Sequence, residues 1–254
     1  MHKTLLTSHN RKIAYQYNKG ESKIGFIFFS GFCSDMTGTK AQYIFKWCKK
    51  NKYECTLFDY SGHGKSSEKF INTSFKEWIE DAAEVLNKVP TKPQILIGSS
   101  MGGWIALKIG LMNPLKIKGV VTIAAAPDFT KKLWQKELNQ EQKNEIKTMG
   151  YTNIPSEFDP NGYIITKKII KEGNKNLILT TKNMFSFPLK LIHGDQDKAV
   201  SWKESLKIFN KSNNALSELI ILKNGDHRLS DKKQLNKIIS VIQSLLEDCN
   251  VSHS

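Results

Sequence analysis

Gly98-Ser99-Ser100-Met101-Gly102-Gly103 fits the spacing G-x-S-x-G, with one more glycine behind it. The apolar run Gln94–Ile97 leads into it and a helix-forming run leads out. A serine on a sharp strand-to-helix turn has its hydroxyl lifted clear of the chain, and small neighbours keep strand and helix from colliding around it. The first turn of the helix also presents backbone N–H groups where negative charge gathers during acyl transfer. Ser100 is the candidate nucleophile, and Ser99 is expected to turn into the fold.

A serine hydroxyl needs a base. Of the histidines that follow Ser100, His193 ends a strand and His253 lies in the tail. His227 sits in the loop Asn224-Gly225-Asp226-His227, after the strand Leu219–Leu222, and is the candidate base. The acid falls in His193-Gly194-Asp195-Gln196-Asp197, after the strand Leu189–His193. Two aspartates compete there. Asp197 is followed by the apolar pair Ala199-Val200 and suits a buried partner for imidazole, whereas Asp195 suits tying the turn through its own backbone. An oxyanion needs two backbone donors: Met101 N–H, directly after the serine, and Phe32 N–H in the loop Ser30-Gly31-Phe32-Cys33-Ser34. Trp104, Phe32 and Cys33 are expected around the pocket.

Other features carry less. Gly64-Lys65-Ser66 lacks the earlier glycine of a phosphate-binding loop. His63 precedes the serine and reads as structural or pocket-rimming. Cys33, Cys48, Cys55 and Cys249 have neither C-x-x-C pairing nor ligand spacing, so no metal and no cofactor are called for, and free thiols suit a reducing compartment. The net charge is +14, yet only Arg11 and Arg228 are arginines; scattered lysines make a solvated surface rather than a specific nucleic-acid site. No apolar run has the length of a membrane span, and no secretory or transit signal is read at the N-terminus, so the expected compartment is the cytoplasm.

The positioning elements follow from the periodicity. Ile24–Ser30, Cys55–Tyr60, Gln94–Gly98, Gly119–Ala124, Leu189–His193 and Leu219–Leu222 are short, continuous apolar runs, as in parallel strands buried on both faces. Thr4–Thr7 and Lys12–Tyr17 read as an opening hairpin. Phe75–Val89 and Leu235–Leu246 carry apolar residues at helical spacing, and the run after Ser100 is apolar nearly all round. The expected fold is α/β: a mainly parallel central sheet flanked by helices in a single domain, 1–254. The alternation fails across 127–187, a polar stretch with a helical run at Lys131–Lys147. It is read as an inserted helical cap over the sheet's C-terminal edge, with Leu133, Ile154 and Tyr163 turned inward.

Ile13–Tyr17, Gly31–Ala41, Phe58-Asp59-Tyr60-Ser61-Gly62, Pro93–Trp104, His193–Trp202 and Asp226-His227-Arg228 together resemble one group of proteins over nearly the whole chain. It is the α/β-hydrolase family of the mitochondrial palmitoyl-protein thioesterase, also described as an acyl-glucuronide esterase. The resemblance implies the α/β-hydrolase fold, a triad of Ser100, Asp197 and His227, and hydrolysis of esters or thioesters. The expected substrate is a small acyl ester or thioester, or an acylated protein. A serine peptidase on the same framework and a silent binding protein are the rival readings; the oligomeric state is left open.

Overall fold

The computed structural model describes residues 2–180 and 184–251. Part of the expected cap, 181–183, and His253 lie outside the described residues.

Each apolar run became a strand because alternate side chains have a core on either side. The strands are β1 (Lys3–Leu6), β2 (Lys12–Asn18), β3 (Gly25–Phe29), β4 (Cys55–Phe58), β5 (Gln94–Ser99), β6 (Ile117–Ile123), β9 (Leu189–Gly194) and β10 (Glu218–Leu222). They form one sheet in the order β1-β2-β4-β3-β5-β6-β9-β10. At one edge β1 and β2 pair antiparallel and β2 pairs antiparallel with β4; from β4 onward every neighbour pairs parallel. In β3, Ile27 and Phe29 enter the core under α2 (Phe75–Lys88) and α3 (Met101–Met112). Phe26 and Phe28 enter the opposite core, under α1 (Thr39–Lys50) and α8 (Lys232–Val251). Two-sided burial gives ~1.5–3 kcal/mol for each large side chain removed from water. β10 is an edge strand and departs from the fully buried pattern: Ile221 is exposed, because only β9 covers one side of it.

The segment between β6 and β9 is mixed rather than purely helical. Its described part holds α4 (Phe129–Lys132), a π turn (Leu133–Glu137), α5 (Gln140–Thr148), an antiparallel hairpin β7 (Tyr151–Ile154) and β8 (Tyr163–Thr166), and α6 (Lys167–Lys175). The expected run Lys131–Lys147 is broken at Leu138-Asn139. Asn139 accepts the Gln142 N–H at 2.8 Å, and Gln142 accepts the Asn139 N–H at 3.0 Å. That reciprocal cap starts a new helix instead of continuing the old one. Leu133, Leu138, Ile146, Ile165 and Ile170 give the segment its own small core. Between β9 and β10 the chain forms α7 (Lys203–Phe209).

Candidate active site

Ser100 stands between β5 and α3 with φ 53° and ψ −119°. A non-glycine residue held there costs about 1–3 kcal/mol, so the surroundings must fix it. They do. Its N–H donates to Ile123 O at 2.9 Å, and its carbonyl accepts Gly103 N–H at 3.0 Å and Ala126 N–H at 3.1 Å. The motif glycines are a matter of space. A Cβ on Gly98 would fall 2.3 Å from Gly102 O, and one on Gly102 would fall 2.1 Å from Phe29 O. The helix therefore starts in contact with the strands, and Ser100 is pushed out at the bend. Ser99 is buried, as expected, though it still reaches the cavity wall.

His227 lies on the loop after β10. Its Nε2 is 3.1 Å from Ser100 Oγ and its Nδ1 is 2.7 Å from Asp197 Oδ2. A carboxylate only accepts, so Nδ1 carries the hydrogen and Nε2 is left to accept from the serine hydroxyl. The Asp197 side chain has no exposure. Burial alone would raise its carboxyl. Hydrogen bonds from His193 and His227, the charge of His227 and the Val200 N–H outweigh burial and hold it well below the usual carboxylate range.

The two aspartates divide their work differently from the sequence expectation. Asp197 ties its own turn: its Oδ1 accepts Ala199 N–H at 2.9 Å and Val200 N–H at 2.8 Å. Asp195 reaches across instead, accepting Asn224 N–H at 2.6 Å and Lys223 Nζ at 2.9 Å. It braces the loop that carries His227.

Among the described residues, neither Phe32 N–H nor Met101 N–H has an acceptor within the fold. Gly31 sits beside the serine, where an added Cβ would be 3.5 Å from Ser100 Cβ. This loop is held partly by Asp59, whose Oδ1 accepts Met36 N–H at 2.7 Å and whose Oδ2 accepts Lys65 N–H at 2.8 Å. Cys33 lies on the cavity wall. Cys33 is exposed to the cavity, yet the packing around it, then the Asp159 charge, pushes its thiol up to about 12, so it stays protonated at neutral pH.

A cavity of about 760 Å³ opens over Ser100, Phe32, Met101 and His227. Leu133, Ile154 and Tyr163 line it from the segment between β6 and β9. One pocket expectation fails. Trp104 is buried in the core, with Nε1–H donating to Asn176 O at 3.1 Å, because its helix face turns toward Phe75 and Phe129. Of the two readings of His63, structural or pocket-rimming, the structural one holds. His63 is buried among Tyr60, Phe70 and Trp78, and burial pushes it down to about 4.

Several cavity residues escaped the sequence reading. Phe158 faces the His227 ring at 5.5 Å, and the Arg228 guanidinium lies 5.2 Å over Phe158. Lys40 donates to Arg228 O, and burial lowers its ammonium to about 8 despite Asp226. Two sequence signals pointed at Arg228: arginine is rare in this chain, and Arg228 closes the stretch Asp226-His227-Arg228 that carries the resemblance.

A serine raised on a strand-to-helix elbow, over a mainly parallel sheet with helices on both faces, defines an α/β-hydrolase. Residues 20–161 match the family described as Serine aminopeptidase, S33. The human protein named Palmitoyl-protein thioesterase ABHD10, mitochondrial is 32% identical over 250 residues, covering 96% of this chain and 81% of that protein. A putative hydrolase from Agrobacterium vitis S4 superimposes with a TM-score of 0.91 and 30% identity, over 96% of this chain and 98% of that one. Alpha/beta hydrolase domain-containing protein 10 from mouse superimposes with a TM-score of 0.89 and 31% identity, over 98% and 99%. The chain belongs to the α/β-hydrolase family that includes the mitochondrial palmitoyl-protein thioesterases. No described helix is long and apolar enough to cross a membrane.

Proposed function

We propose that this chain is a serine hydrolase cleaving carboxylic esters or acyl thioesters through an acyl-enzyme. The observation that carries the reading is the hydrogen-bonded line from Ser100 Oγ through His227 to Asp197, at 3.1 and 2.7 Å. Ser100 attacks the acyl carbonyl while His227 Nε2 takes its proton. Phe32 and Met101 N–H groups, left free by the fold, hold the oxyanion. His227 then protonates the departing alcohol or thiol, and water repeats the sequence to release the acid. Residues 1–254 work as one catalytic domain, with 127–187 as its cap. The substrate class is small acyl esters or thioesters, with acylated proteins as a larger version of the same chemistry. Four free cysteines support a reducing compartment, a description that fits the cytoplasm and a mitochondrial matrix alike.

The family description makes an aminopeptidase the second reading. Holding a peptide's free ammonium needs an uncommitted carboxylate in the cavity. The carboxylates on its wall are engaged: Asp35 by Thr37, Asp128 by the Ile178 and Leu179 N–H groups, Glu137 by Lys132 and Glu204 by Lys207. Lys40, Lys131, Lys136 and Arg228 make the same wall cationic. That favours esters over peptides with a free amine. The deciding experiment runs acyl esters, acyl thioesters and aminoacyl amides against the wild type and Ser100→Ala. Ester and thioester turnover that disappears in the variant supports the proposal; faster cleavage of the amides reverses it.

A further inference from the structure

His193 is fully buried near the end of β9, and its ring has three hydrogen-bond partners: Asp197, Val200 and Ser205. Its Nε2 is 3.0 Å from Asp197 Oδ2 and 2.9 Å from Val200 O. Both partners only accept, so Nε2 carries a hydrogen and shares it between them. Its Nδ1 is 2.7 Å from Ser205 Oγ on α7. Val200 closes the ring, since its N–H donates to Asp197 Oδ1 while its carbonyl takes the His193 hydrogen.

The consequence for the carboxylate is specific. Ala199 and Val200 anchor Oδ1 and leave the group free to pivot about that oxygen. Oδ2 receives two imidazole donors, His227 at 2.7 Å and His193 at 3.0 Å. A carboxylate has about four acceptor positions, and here all are filled. We propose that His193 is a positioning residue, whose Nε2–H holds Asp197 Oδ2 in the orientation that serves His227 and draws off part of its charge. This rests on the triad reading above.

The remaining charged neighbours have other partners. Asp195 takes Lys223, and Asp226 accepts Leu229 N–H and faces Lys40. Arg228 lies over Phe158, Glu204 on α7 pairs with Lys207, and Lys198 is exposed on the turn. None of them stands between the two histidines and Oδ2. Without His193, the whole charge of Oδ2 falls on the His227 imidazolium, which then holds its proton more tightly.

The test compares His193→Leu, which removes the donor, with His193→Gln, whose side-chain amide restores one. The readouts are kcat, KM and the acidic limb of the pH–rate profile. For His193→Leu the expected result is a kcat loss of roughly 10- to 100-fold. KM should stay near wild type, and the acidic limb should move to higher pH. His193→Gln should recover most of the loss. A folded His193→Leu variant with wild-type kcat and limb overturns the proposal, as does a His193→Gln variant as impaired as the leucine one. Should His193→Leu fail to fold, Ser205→Ala loosens the same ring by one hydroxyl. A smaller kcat loss with the same direction of limb supports the proposal, and an unchanged profile overturns it. Asp197→Asn in the same panel separates the two readings. If Asp197→Asn keeps full kcat, the triad itself is wrong; if it is crippled while His193→Leu is not, only the role of His193 falls.

Discussion

His227 Nε2 stands 3.1 Å from Ser100 Oγ although 127 residues separate them in the chain. The meeting is made by strand order. β10 pairs with β9 in parallel, and β9 pairs with β6, which pairs with β5, so the loops after β5, β9 and β10 open at one edge. The last two loops touch at a point where side chains cannot fit: a Cβ on Gly194 would lie 2.1 Å from Gly225 O. That contact sets how far the His227 loop reaches back over the sheet.

Ser100→Ala should lower ester or thioester hydrolysis by at least about 10³-fold with the fold intact. A fluorophosphonate probe followed by peptide mapping should label Ser100 and leave Ser99 unmodified. Ser99 is buried beside it, so labelling at Ser99 would mean that the elbow presents the wrong hydroxyl.

Most of this site was legible before the fold was known, because its signals are local. G-x-S-x-G needs only the strand and helix that flank it, and the six apolar runs reappear as β3–β6, β9 and β10 within a few residues. The hairpin β7–β8 was missed because Tyr151–Ile154 and Tyr163–Thr166 are strands of only four residues set in a polar stretch, too short to show a period. Trp104 was misread because an all-round apolar helix does not say which face meets the cavity. The division between Asp195 and Asp197 depends on Lys223, Asn224 and His193, which only the tertiary fold brings near.

Asp197→Asn should reduce kcat far more than Asp195→Asn. The first change removes the acceptor for His227 Nδ1–H, while the second loosens only the brace on the following loop. Steady-state kinetics on the two variants measure this directly. Equal losses would mean that the loop brace matters as much as the imidazole partner.

The same carboxylate gives a stability signature. Its folded value lies below the unfolded value of about 3.9, so its contribution is fully present above that pH and is lost as pH falls toward the folded value. An asparagine at 197 has no such dependence. The stability gap between wild type and Asp197→Asn should be widest near neutrality and close progressively below about pH 4. Urea unfolding of both proteins at pH 7 and near pH 3 measures it. A gap that stays constant would show that Asp197 is not stabilised as an anion.

Acyl length should matter because one part of the wall over Ser100 is apolar. Ile154 on β7 and Leu133 in the π turn face that space, with Phe32 across from them. Each CH₂ moved from water into such a wall is worth about 0.8 kcal/mol, or about a fourfold gain in kcat/KM. The rate should climb with chain length until the space of about 760 Å³ is filled, then fall. Ile154→Trp puts bulk into the same space and should move the optimum to shorter acyl groups, while turnover of an acetyl ester stays near wild type. A graded series of thioesters run on both proteins supplies the measurement. A flat dependence on length, or an optimum that ignores Ile154→Trp, would mean that the acyl chain lies elsewhere and that this wall serves the leaving group.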